Sequence, residues 1–87
     1  MKLTAKQTEA LASQIFECMQ ADELGMVGDA VVKNEVHSQN NWSRDERSMF
    51  AKGYCYRLVN ENIIEPENIY DITEATVELS LETYPVA

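Results

Sequence analysis

Two short runs fix where helices must begin. Thr4-Ala5-Lys6-Gln7 and Ser43-Arg44-Asp45-Glu46 each place Gln or Glu three residues after a hydroxyl. In such a box the hydroxyl accepts from the fourth residue's backbone N–H, whose side chain reaches back to the first N–H. Two donors otherwise orphaned at a helix start are thereby satisfied. A chain with two such starts is committed to helices before its apolar pattern is read.

That pattern agrees. After Thr4, the residues Leu11, Ile15, Cys18 and Met19, with Phe16 beside them, recur at spacings of three and four. They predict one apolar stripe on a helix over about residues 4–21. Gly25 and Gly28 mark a turn, with Asp22 or Asp29 as cap candidates. Ala30, Val31, Val32 and Val36 then suggest a second helix over about 24–37. A polar loop, Ser38 to Asn41, leads to the second box. From it Phe50, Tyr54 and Leu58 repeat at four, which predicts a helix over about 43–62 containing Gly53. Pro66 stops that helix and biases Glu65 to an extended backbone.

The last element has two readings. Asp71-Ile72-Thr73-Glu74 resembles a cap and an acidic first turn, favouring a helix over about 72–83. Val77, Leu79 and Leu81 alternate with Glu78, Ser80 and Glu82, which fits a strand pairing between subunits. The helix is preferred because nothing earlier offers a strand partner. The expected fold is therefore mostly α: a single domain over 1–87, with a small three-helix core and an acidic C-terminal helix within 66–87.

Charge separates this final element from the rest. From Glu61 onward there are seven carboxylates and no Lys or Arg, whereas residues 1–60 hold eight acids and seven bases. The net charge of −8 is thus almost wholly local. Such a chain is repelled by nucleic acid and by anionic lipid, so its natural counterpart is a protein with a basic surface. The start of the chain lacks the apolar run of a secretory signal, and no stretch reaches the ~20 apolar residues that span a bilayer. A cytoplasmic protein with reduced thiols is the expectation. At 87 residues the core is small, and self-association is the expected aid to its stability.

Few residues offer chemistry. Cys18 and Cys55 lack a CxxC neighbour and read as packed thiols, although touching helices would let them bridge. His37 is the single histidine and reads as an exposed residue near a helix end. No catalytic set, metal site or cofactor is expected, and no Gly-rich phosphate loop is present. Arg44, Arg47, Lys52 and Arg57 share one predicted helix. They do not form one face, and Asp45 and Glu46 interrupt the turn a recognition helix would insert in DNA. They read as a solvated flank, with Arg44 or Arg47 able to hold the acidic segment against the body.

On a helix Glu74, Glu78 and Glu82 fall at i, i+4 and i+8. Like charges so spaced repel by a few tenths of a kcal/mol per pair, and that cost gives a functional reading weight. Tyr70 and Tyr84 bracket the segment, and tyrosine is frequent in interface hot spots. Trp42 reads as a lid over a helix start. The expected function is non-catalytic binding through Glu74, Glu78, Glu82, Tyr70 and Tyr84, in its sharpest form an inhibitor that mimics nucleic acid. The alternative is a homo-oligomeric regulatory or small-ligand-binding module.

Overall fold

A computed structural model describes residues 1–21 and 42–86. They form three α-helices: α1 (Ala5–Ala21), α2 (Arg44–Asn60) and α3 (Ile69–Thr83). A single 3-10 turn, Pro66–Asn68, leads into α3. The fold is mostly α around a small helical core, with no strand among the described residues. The helix expected over 24–37, the loop at 38–41 and His37 lie outside the described residues.

Both capping boxes are formed. Thr4 N donates to Gln7 Oε1 at 2.9 Å and Gln7 N to Thr4 Oγ1 at 3.1 Å. Ser43 N donates to Glu46 Oε1 at 2.8 Å and Glu46 N to Ser43 Oγ at 3.1 Å. At the far end of α2, Asn62 has φ 62°, the left-handed region that a short polar side chain tolerates. Ile63 N–H then bonds Leu58 O at 2.9 Å and Asn62 N–H bonds Val59 O at 3.0 Å, a Schellman closure.

Helix α3 begins three residues earlier than its acids suggest. Pro66 sets the first turn of the 3-10 segment, a position that needs no N–H. Asn68 occupies the cap position without capping. Its amide instead accepts from Leu3 N at 3.0 Å and donates to Met1 O at 3.1 Å. Asp71 therefore is not the cap. It lies in the first turn, 3.7 Å from Lys2 Nζ.

The core is rotated from the expected stripes. On α1 the buried residues are Ala12, Ile15 and Met19, with Leu11 and Phe16 at the margins. At ~100° per residue, Cys18 lies about 90° from the centre of that face, and its side chain is exposed. On α2 the buried set is Arg47, Ala51, Tyr54 and Cys55. Trp42 is 3% exposed and packs on Phe50 with ring centroids 4.5 Å apart, so it is a core residue as well as a lid. Helix α3 buries Ile72, Thr73, Thr76, Val77 and Ser80. Its small side chains let the other helices approach closely, and each buried hydroxyl has a partner. Thr76 Oγ1 bonds back to Ile72 O at 2.7 Å, Thr73 Oγ1 meets Cys55 Sγ at 3.6 Å, and Ser80 Oγ lies 3.4 Å from Arg47 Nη1.

Arg47 departs furthest from expectation. Its side chain is 0% exposed rather than solvated. Nε donates to Trp42 O at 3.0 Å, and Nη1 to Ser80 O at 3.0 Å and to Tyr84 O. It does hold the final segment, but through carbonyls rather than carboxylates. Tyr84 O lies past the last intrahelical donor, and Ser80 O takes the Arg47 bond beside one from Tyr84 N–H at 2.7 Å. Both sit at the negative end of the α3 dipole. A guanidinium supplies donors and positive charge at once.

Two predictions follow from this packing. Arg47→Ala should cost about 3–5 kcal/mol, from lost charge-assisted bonds and an unfilled cavity. Arg47→Met should restore volume yet remain about 2 kcal/mol below the wild type. Urea midpoints at constant m check both, and a Met variant as stable as the wild type would refute the carbonyl latch. For the thiols, burial pushes Cys55 above its ordinary pKa, partly offset by the bond to Thr73. Its contribution is complete below the unfolded thiol's value, about 8.5, and is lost as pH rises above it. A thiol reagent at neutral pH should label Cys18 alone, and the stability difference between wild type and Cys55→Ala should shrink by pH 9.5.

Candidate functional site

Helices α1 and α3 lie side by side and run in the same direction. Near their starts, Lys2 meets Asp71, and Asn68 holds Met1 and Leu3. Near their ends the rings of Phe16 and Tyr84 stack at 6.3 Å and 28°, and the Tyr84 hydroxyl donates to Gln20 Oε1. Helix α2 runs broadly the other way. Arg47, near its start, reaches the end of α3, whereas Cys55 meets Thr73 near the beginning of α3.

Between the two ties the α1–α3 seam opens into a groove of about 350 Å³. Glu9, Ala12 and Ser13 line it from α1, and Ala75, Glu78, Leu79 and Glu82 from α3. Ala12 and Ala75 are too small to fill the space between the helices. A second hollow of about 360 Å³ shares Glu9 and continues the seam toward Lys2 and Asp71.

Three carboxylates, Glu9, Glu78 and Glu82, thus surround one groove, and all three are exposed. Among the described residues none of them is in an ion pair. The other acids of the final third are differently disposed. The Met1 amino group lies against Glu65 and is 2.9 Å from Glu67. Arg44 Nη2 is 3.6 Å from Glu74 Oε1.

The five residues singled out from the sequence are therefore not one site. Glu78 and Glu82 share the groove. Glu74 faces Arg44, because each i+4 step advances about 40° around a helix and carries the row from the α2 side toward α1. Tyr70 is 71% exposed and lines neither hollow. Tyr84 is committed inward by its ring, its hydroxyl and its carbonyl, and forms the end wall of the seam. Glu9 was missed. It sits in a segment whose charges nearly cancel, and only a parallel pairing of the first and last helices brings it beside Glu78.

Ionised carboxylates only accept hydrogen bonds. With the Ser13 hydroxyl they give the groove an acceptor-rich rim, complementary to an ammonium or guanidinium on an apolar stem. Among the described residues there is no cluster of three or more His, Cys, Asp or Glu suited to a metal ion. No described helix is long and apolar enough to cross a membrane. The chain matches no protein-family model, no curated protein and no solved structure.

Like charges without cations should cost stability. Glu78→Gln is expected to stabilise the fold by about 0.3 kcal/mol at low ionic strength, with the gain shrinking as salt screens the repulsion. Urea midpoints at two salt concentrations measure this. A lowered midpoint would show that the Glu78 charge is compensated.

Proposed function

We propose that this protein is a non-catalytic binding module that docks the acidic α1–α3 seam onto a basic surface of another protein. The observation that carries this reading is the groove itself, ringed by Glu9, Glu78 and Glu82 and floored by Ala12 and Ala75. A Lys or Arg side chain entering it would lay its methylene stem on Ala12, Ala75 and Leu79 and meet carboxylates at the rim. The uncompensated charge of the final third adds long-range attraction, which raises the association rate and selects the partner.

The expected contact differs from the row of three glutamates read from the sequence. Glu78 and Glu82 remain, Glu9 joins them, and Glu74 stands aside with Arg44. Tyr70, one i−4 step behind Glu74, lies off the seam, and Tyr84 supports the end of the seam through its stack on Phe16. In the sharpest form of this reading the partner is a nucleic-acid-binding protein whose phosphate sites the carboxylates occupy. Duplex DNA and this protein would then compete for one basic surface.

A Lys/Arg-rich 12-residue peptide is a direct probe. Amide chemical shifts should move at Glu9, Ser13, Ala75, Leu79 and Glu82, and binding should weaken steeply between 50 and 300 mM salt, on the order of tenfold or more. A Glu9/Glu78/Glu82→Gln variant should lose at least about tenfold in affinity. Shifts centred elsewhere, or affinity indifferent to the triple substitution, would refute the seam as the docking surface.

A further inference from the structure

The outward face of α2 serves neither the core nor the seam. Met49 is 60% exposed and Tyr56 54%. With Asp45, Ser48, Lys52 and Gly53 they line a shallow hollow of about 350 Å³. The positions 45, 49, 52 and 56 follow the four-three-four interval along which two helices pack. Between Met49 and Tyr56, Gly53 has no side chain, which lets a second backbone come close.

Charge indicates what can cover this face. A molecule of net charge −8 repels its own copies across most of its surface. The seam, with Glu9, Glu78 and Glu82, is the worst place for two copies to meet. The α2 face instead carries one acid and one base, Asp45 and Lys52, and is locally neutral.

It is also complementary to itself. Residues 45 and 56, 48 and 53, and 49 and 52 are each centred on the point between residues 50 and 51. Two α2 helices crossing antiparallel about a two-fold axis at that point bring these pairs together. The Asp45 carboxylate then faces the Tyr56 hydroxyl of the second copy. Ser48 meets Gly53, the two small residues, and the Met49 thioether lies along the Lys52 stem.

We propose that this face joins two copies of the chain in an antiparallel homodimer, independently of the acidic seam. Six residues per copy is well below the 20–30 of a standard interface, so the dimer is weak, with a dissociation constant on the order of 100 µM.

Sedimentation equilibrium from about 10 µM to 1 mM tests this directly. The mean mass should climb toward two copies, and more so at 0.5 M salt than at 0.05 M, because salt screens the repulsion between acidic bodies. That dependence is opposite in sign to the one expected at the seam, so failure of one reading is distinct from failure of the other. Lys52→Glu should abolish the dimer by leaving two acids on each face. Gly53→Ala raises helix propensity and so keeps the fold, yet its methyl should hold the helices apart and weaken association about tenfold. A mass of one copy throughout, or a dimer indifferent to both substitutions, overturns the proposal.

Discussion

A single buried cation ties the three helices together. The Arg47 guanidinium binds Trp42 O at the entry to α2, and Ser80 O and Tyr84 O at the end of α3. Tyr84 in turn stacks on Phe16 of α1. Placing this charge in the interior is costly, and desolvation lowers the Arg47 pKa from its ordinary value. What offsets the cost is the negative end of α3, where Tyr84 O has no intrahelical donor and Ser80 O, already bonded to Tyr84 N–H, accepts a second bond. The match is incomplete, since Nη2 is buried without a hydrogen-bond partner. The cation nevertheless connects the core to the end wall of the acidic seam.

Local signals in the sequence carried well into the structure. Both capping boxes, the extended Glu65 before Pro66 and the helical character of α1 and α2 follow from side chains acting on nearby backbone. Helix α2, however, ends at Asn60 through the left-handed Asn62 rather than at Pro66. What eluded a reading by hydrophobicity was the face each helix turns inward. Cys18 is as apolar as its neighbours and is exposed, while Ala12 is small and is buried. On α3 the inward stripe contains Thr73, Thr76 and Ser80, whose hydroxyls are satisfied locally or by Arg47 and Cys55. Hydropathy does not distinguish such a stripe from a solvated one. A buried Arg is likewise invisible to any rule that places charge outside.

The candidate site was half legible for a related reason. The acidity of the final third is a property of sequence, but which acids remain uncompensated is a property of packing. Glu65, Glu67, Asp71 and Glu74 each lie beside a cation, leaving Glu61 at the end of α2 and, at the groove, Glu78 and Glu82. Glu9 joins them only because α1 and α3 are neighbours in space. The result is a molecule with two unlike surfaces, a charged seam between α1 and α3 and a neutral stripe along α2.

The parallel pairing of α1 with α3 also bears on the order of folding. The bonds that flank the seam join residues 64, 65 and 67 positions apart in a chain of 87. Contacts so distant in sequence require a long loop to close before they contribute anything. Helices α1 and α2 can form from local interactions, and α2 can pair with α3 across the short Pro66 turn. The groove, by contrast, comes into being only when the first helix docks, so no fragment missing either end of the chain would possess it.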